Sequence, residues 1–519
     1  MKRSSLLTAC STFALAVAGS SMLSGAALAQ ATGVPSSAPS NFEGSAASGV
    51  TDPGIRTPTN FTAFPATTTT VPPQPTPPAA GTTGGALPNL ANSATVNFFT
   101  AARDRFQEID SVSGTASGQT GNGLGPSFNA NSCASCHSFP QVGGSSPPTG
   151  NPQIAIATLA GAKNTIPPFI GNNTPVREAR FINVPGTNTP DGGVHDLFTI
   201  NGRTDATNHP NVNTGTNTTC TLAQTNFAQA IAQNNIIFRI PIAVFGDGLV
   251  ENVAEAQLTT DFNNNDNAAN SLGIGGFFNT SGNDGTITRF GWKAQNKSML
   301  MFAGEAYNVE QGVTNELFTT ERTGDTNCHF NATPEDAENL ADPGQFNDLS
   351  PTSNVESDLE NFAAFMRLTA PPPQASNGFT TTNGTTVTAA SISNGLTAFN
   401  NIGCAVCHFA TFLTSASPFT ANNAQTTFSP FSDFAVHDMG TLLADGVTQG
   451  NAGGNDFRSA PLFGVGQRAF FLHDGRTNSL VTAIEDHASQ GSEANQVISN
   501  FNSLSATSQQ NIINFLRSL

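Results

Sequence analysis

The sequence predicts a mainly α chain organised as two helical units with long irregular insertions. Two C-x-x-C-H motifs, at 133–137 and 404–408, mark the units. Apolar residues at helical spacing flank them: Phe98, Phe99, Ala102, Phe106 and Ile109 before the first, Leu396, Phe399 and Ile402 before the second. The closing stretch TSQQNIINFLRSL presents Ile512, Ile513, Phe515 and Leu516 as one apolar face. A chain of 519 residues has ample length for more than one core.

The elements follow in chain order. Lys2 and Arg3, an apolar run and Ala27-Leu28-Ala29 read as a secretory signal over 1–29. Its removal takes two cations and moves the net charge from −17 to −19. The Pro-, Thr- and Gly-rich stretch 30–90 reads as a disordered tether, because it holds too little apolar surface to offset its ordering entropy. Residues 91–375 form the first unit, with Asn- and Thr-rich insertions at 183–220 and 262–285 and helical pieces near 222–233, 292–308 and 354–369. Pro371-Pro372-Pro373 breaks the chain, and 376–519 form the second unit. No apolar run reaches the ~20 residues of a membrane helix, so a soluble periplasmic or secreted product is expected. The acidic balance excludes nucleic acid as a partner and favours a basic one.

Export also bears on the cysteines. Cys10 leaves with the signal, and four of the remaining six belong to the C-x-x-C-H motifs. Cys220 and Cys328 are left to pair as a disulfide or to stay as two unreactive thiols. C-x-x-C-H reads as covalent haem attachment: thiols at i and i+3 share one helical turn and reach one porphyrin edge, and the next histidine ligates the iron. The sets are Cys133, Cys136, His137 and Cys404, Cys407, His408. A zinc site or a redox dithiol is the rival reading. Export, two copies and the helix before the second motif favour two c-type haems. The expected fold class is thus mainly α, two cytochrome c-like haem domains with long irregular insertions.

The sixth ligands are less marked. Candidates are His195, His209, His329, His437, His473 and His487, with Met299, Met301, Met366 and Met439. His473 stands out through its apolar flank in FFLHDGR. A short repeat links Arg239-Ile240-Pro241 and Phe245-Gly246-Asp247-Gly248 to Arg458-Ser459-Ala460-Pro461 and Phe463-Gly464-Val465-Gly466, with Phe463 lying 218 residues after Phe245. That offset sets His473 against Glu255 and leaves the first haem an open face.

The stretches GNGLGPSFNANSCASCHSFPQVGG, FRIPIAVFGDGLVE, RFGWKAQ, SDFAVHDMGTLLADG and SAPLFGVGQRAFFLHDGRTNSL, in this order over 95–519, resemble the bacterial di-haem oxidoreductases. These are grouped with di-haem cytochrome c peroxidases and are related to di-haem rubber oxygenases. The resemblance implies His137 and His408 as proximal ligands and His473 as the distal ligand of an electron-transfer haem, with Met439 as runner-up. It implies a reactive first haem, Trp292 as an electron relay between the two, and a distal acid/base carboxylate for which Glu251 is the candidate. It admits a calcium ion between the units. The implied activity is oxidation by peroxide, fed by a small electron-donor protein such as a cytochrome. An O₂-using oxygenase of the rubber-cleaving kind and a plain di-haem electron carrier are the alternatives.

Composition adds one expectation. The chain has 39 Phe but one Trp and one Tyr. Phe resists oxidation better at equal bulk, so the imbalance suits a protein that generates oxidising iron and keeps Trp292 for a purpose. Lineage bias explains it equally.

Overall fold

A computed structural model describes residues 49–57, 76–114, 116, 119, 121–206, 220, 222–337 and 357–519. The signal segment 1–29 and His209 lie outside the described residues.

Helix α1 (Ser93–Phe106) opens the first unit, capped by the Asn92 side chain on Thr95 N. The four-residue helix α2 (Cys133–Cys136) carries the first cysteine pair. Strand β1 (Glu178–Arg180) lies between β2 (Val194–His195) and β3 (Ile237–Arg239) in a small antiparallel sheet. Helices α3 (Asp247–Glu251), α4 (Glu255–Asn264), α5 (Asp266–Leu272), α6 (Met299–Gln311) and α7 (Asp358–Leu368) complete that part of the chain. Helix α8 (Ala389–Ile402) runs into the second cysteine pair. Strands β4 (Val436–Asp438) and β5 (Asp456–Arg458) pair antiparallel, with His437 opposite Phe457. Helices α9 (Leu480–Glu485), α10 (Asn495–Ser503) and α11 (Ala506–Ser518) end the chain.

This architecture corrects the expected fold class. The chain is 33% helix and 12% strand, and neither half is a cytochrome c-like helical domain. Among the described residues no helix exceeds the 14 residues of α1 and α8. Glycine is one reason: Gly273, Gly312 and Gly403 take positive φ and stop α5, α6 and α8. The remaining chain makes turns, hairpins and isolated bridges, which the helical periodicity of a few stretches could not foretell.

Two helix pairs organise the packing. Helices α1 and α7 meet through Phe99, Phe106, Phe362 and Phe365, with Phe106 and Phe365 ring centroids 4.7 Å apart. Helices α8 and α11 meet through Phe399 and Phe515, 5.3 Å apart. Their crossing is close at Gly395, where a Cβ would lie 1.9 Å from Asn511 O. The short repeat has a matching three-dimensional signature. A Cβ on Gly248 would sit 2.0 Å from Arg367 O on α7, and one on Gly466 would sit 2.0 Å from Arg517 O on α11.

The apolar cores cross the expected boundary at 375/376. Phe412, Phe428 and Phe434 pack with α1, α6 and α7, and Ile240 and Trp292 pack with Phe457 and Phe470. The described parts of the stretch 30–90 pack against both halves of the chain. Val50 is buried with α8 and α11, and Asp52 makes a fully buried bidentate pair with Arg517, both contacts at 2.7 Å. Arg56 donates to Leu519 O at 2.9 Å. Ala86 and Leu87 join the first core. A few apolar and charged side chains within a low-complexity stretch suffice to dock it. Cys220 and Cys328 form a disulfide that closes 108 residues of sequence.

Candidate functional site

Each C-x-x-C-H motif lines its own cavity. In the first, α2 sets Cys133 and Cys136 one turn apart, with His137 just past the helix end. His137 Nδ1 lies 3.0 Å from Gly144 O, and its ring meets Phe106 edge-on at 6.0 Å. In the second, His408 Nδ1 lies 2.9 Å from Phe431 O, which leaves Nε2 to face a ligand, and Phe399 is the ring beside it at 6.2 Å. Burial pushes both histidines down to about 4, so both are neutral and competent to ligate a metal near pH 7.

The cysteines bear on the rival readings. All four are unpaired with one another. Burial pushes Cys136 and Cys404 up to about 12, and raises Cys133 and Cys407 as well. A reactive redox dithiol needs the opposite shift.

His473 lies on the wall of the second cavity, buried, with Nε2 lacking any hydrogen-bond partner among the described residues. Burial holds it down at about 4. Phe457 stacks on its ring at 4.4 Å and Trp292 meets it edge-on at 6.3 Å. An orphaned buried imidazole nitrogen is costly unless a ligand satisfies it. Buried guanidinium Nε atoms of Arg177 and Arg239 on the first cavity, and of Arg458 and Arg468 on the second, are likewise without partners. Paired thiols, a neutral histidine and spare cations in each cavity fit an anionic porphyrin that carries iron.

The other candidates separate clearly. His437 is held by Asp433 at 3.1 Å and Glu493 at 2.8 Å, so neither nitrogen is available to iron. His487 lines the second cavity with Nδ1 2.6 Å from Ala483 O. His195 pairs with Asp191 and stacks on Phe181, and His329 bonds Thr323 O. Met439 lines the second cavity and Met366 the first. Met299 is buried in the core and Met301 is exposed. Among the described residues no group of three or more His, Cys, Asp and Glu side chains is arranged to hold a metal ion, so the calcium expectation finds no such cage.

Glu251 stands apart from the first motif's cavity. It ends α3 in an ion pair with Arg367, at 2.6 and 3.0 Å, and accepts from Met299 N at 2.8 Å. It lies beside a separate cavity with Asn252, Ser417 and Phe419, not on the first motif's cavity. Glu255 accepts from Ile287 N at 3.1 Å and also stands apart from that cavity.

The carboxylates that do reach the first cavity are Glu178, Glu305 and Glu310. Sequence reading missed them because they come from β1 and α6, far apart in the chain. Burial, then the Glu178 charge, raises Glu310 well above the carboxylate range, whereas Arg180 and Arg239 outweigh burial and lower Glu178. Glu305 accepts from Asn296 Nδ2 and is close enough to raise Arg180. Trp292 lines both cavities, with its Nε1 donating to Ile240 O at 3.1 Å. Tyr307 lines the first, its hydroxyl 3.4 Å from Asp110 and 3.3 Å from Asp358. The single Trp and the single Tyr therefore share one cavity.

Residues 190–519 match the family model described as "Di-haem oxidoreductase, putative peroxidase". The matched segment holds Trp292, the second motif and His473, and begins after the first motif. No curated protein matches. Among solved structures the chain is similar to a Kuenenia stuttgartiensis hydrazine synthase pressurized with 20 bar xenon, at 16% identity and a TM-score of 0.18. That match spans 34% of this chain and 59% of the other, and carries no argument. Among the described residues no helix is long and apolar enough to cross a membrane.

Proposed function

The chain belongs to the di-haem oxidoreductase family, and from that premise we propose that it is an exported peroxidase-like enzyme with a reactive first centre and an electron-transfer second centre. The observation that carries this reading is the asymmetry of the cavities. The second is lined by His473 as well as by His408, whereas the described lining of the first holds His137 as its one histidine and adds Glu178, Glu305 and Glu310.

Cys133, Cys136 and His137 would hold one haem, and Cys404, Cys407, His408 and His473 the other, through thioethers and axial imidazoles. When bound, haem supplies an iron that exchanges electrons with a small oxidant. The residues do the rest. Glu310 holds a proton beside Glu178 at the first cavity, with Glu305 on the same wall, where reduction of a peroxide would consume protons. Arg180 keeps Glu178 ionised, and Glu310 retains its proton beside it. Trp292, as a wall of both cavities, is the natural route for an electron. Phe106, Phe302 and Phe362 exclude water from the first cavity. An acidic exterior, at −17 over the whole chain, suits a basic cytochrome donor steered by charge and weakened by salt.

The test is peroxide turnover by the haem-loaded protein with a reduced small cytochrome. Turnover is the expected result, and its absence after both haems are shown to be present overturns the reading. The apolar share of the first cavity also suits O₂-dependent cleavage of a hydrocarbon, as in rubber oxygenases. The three carboxylates weigh against that, and polyisoprene cleavage products would reverse the order of the two readings.

A further inference from the structure

The turn that bears Trp292 and the turn that bears His473 are two copies of one structure, offset by 181 residues. Phe290 bridges Asn296 as Phe471 bridges Thr477. Positive φ falls at Gly291 and Ala294 in one copy, and at Leu472 and Gly475 in the other. Ser298 then caps α6 by accepting from Met301 N at 3.2 Å, and Ser479 caps α9 by accepting from Thr482 N at 3.3 Å. Every one of these pairs keeps the same offset, and it sets Trp292 against His473.

The two turns also exchange contacts across the molecule. Arg458 N donates to Trp292 O at 2.9 Å, and Ile240 N donates to His473 O at 2.8 Å. Ile240 and Arg458 stand 218 residues apart, the same offset as Phe245 and Phe463. The offset shrinks from 218 to 181 because the first unit carries α4 and α5 between the two segments. The sequence repeat alone could not register this change, and so it matched His473 to Glu255.

We propose that position 292 is the sixth-ligand position of the first centre, and that placing tryptophan there is what keeps that iron face open. An imidazole nitrogen offers an in-plane lone pair to a metal. The indole nitrogen is a donor only, and here its N–H is already spent on Ile240 O. The ligand is thus specified by one residue on a turn that the chain repeats, with Trp292 as the residue that decides coordination number. This rests on the reading of the first centre as the open one, and its test is independent of peroxide turnover.

The test is the spin state of the haem-loaded Trp292→His variant, by electron paramagnetic resonance and cyanide titration. The expected result is at least a tenfold loss of the high-spin signal and of cyanide affinity at the first centre. Trp292→Phe should keep both at wild-type level. A Trp292→His protein with two haems and an unchanged high-spin signal overturns the proposal, as does a wild-type protein with no high-spin centre at all. Should Trp292→His fail to take up two haems, Trp292→Met decides: its thioether should bring the first centre to low spin, and persistent high spin counts against the proposal. Failure of peroxide turnover with these spin changes intact would sink the peroxidase reading and leave this one standing.

Discussion

The two cavities share their lining position by position. Phe106 and Phe399, His137 and His408, Val244 and Leu462, Phe362 and Ile512, Met366 and Leu516 stand in corresponding places. Where they differ, the chemistry differs. Trp292 corresponds to His473 and Ala306 to His487 at the 181-residue offset, so the second cavity gains imidazoles that the first lacks. The first gains Glu178, Glu305 and Glu310 from a sheet and a long helix. On the proposed reading, few exchanged side chains separate a pocket that would saturate its metal from one that would leave room for a reactant.

The strongest way to break this comparison is to remove one cavity's anchor. Cys404→Ser combined with Cys407→Ser should cut covalently bound haem from two per chain to one, read by haem stoichiometry on denatured protein. Two retained haems would show that the second pair is not an attachment site. Next in size, Glu305→Gln should lower peroxide turnover by about 10²-fold with unaltered haem spectra, as expected for loss of a general acid/base. Unchanged turnover would shift the role to the Glu178/Glu310 pair. His473→Ala should then convert the second centre to high spin and slow its reduction by the donor, while cyanide binding at the first stays as it was. An unaltered spectrum would send the search to Met439.

The smallest effect concerns pH. His137, His408 and His473 are each held at about 4 against an ordinary 6.5. In the haem-free chain they stay neutral when folded, while the unfolded chain takes up protons below 6.5. Their stabilisation is thus complete above 6.5 and is lost as the pH falls toward 4. Melting temperature should drop between pH 7 and 5, less so in His473→Ala. A flat profile would contradict the burial of these rings.

Much of this was legible locally. The C-x-x-C-H motifs and the helices at 93–106, 389–402 and 506–518 announce themselves through spacing within a few turns. What sequence hid depends on distant partners. Glu251 reads as a catalytic carboxylate until Arg367, 116 residues away, is seen to hold it. Glu305 and Glu178 share a cavity only because α6 and β1 meet there. The helical periodicity of a minority of residues suggested a helical protein, while turns governed by Gly and Asn carry most of the chain.

The docked segment at 49–57 has a consequence for how the protein is made. Its partners, Leu480, Arg517 and Leu519, lie at the opposite end of the chain. A chain threaded out N-terminus first must keep Asp52 and Arg56 waiting until the last helix has emerged. Closure of the second half is then the final event of folding rather than an early one. The buried Asp52–Arg517 clasp thus ties the first described segment of the chain to its last helix.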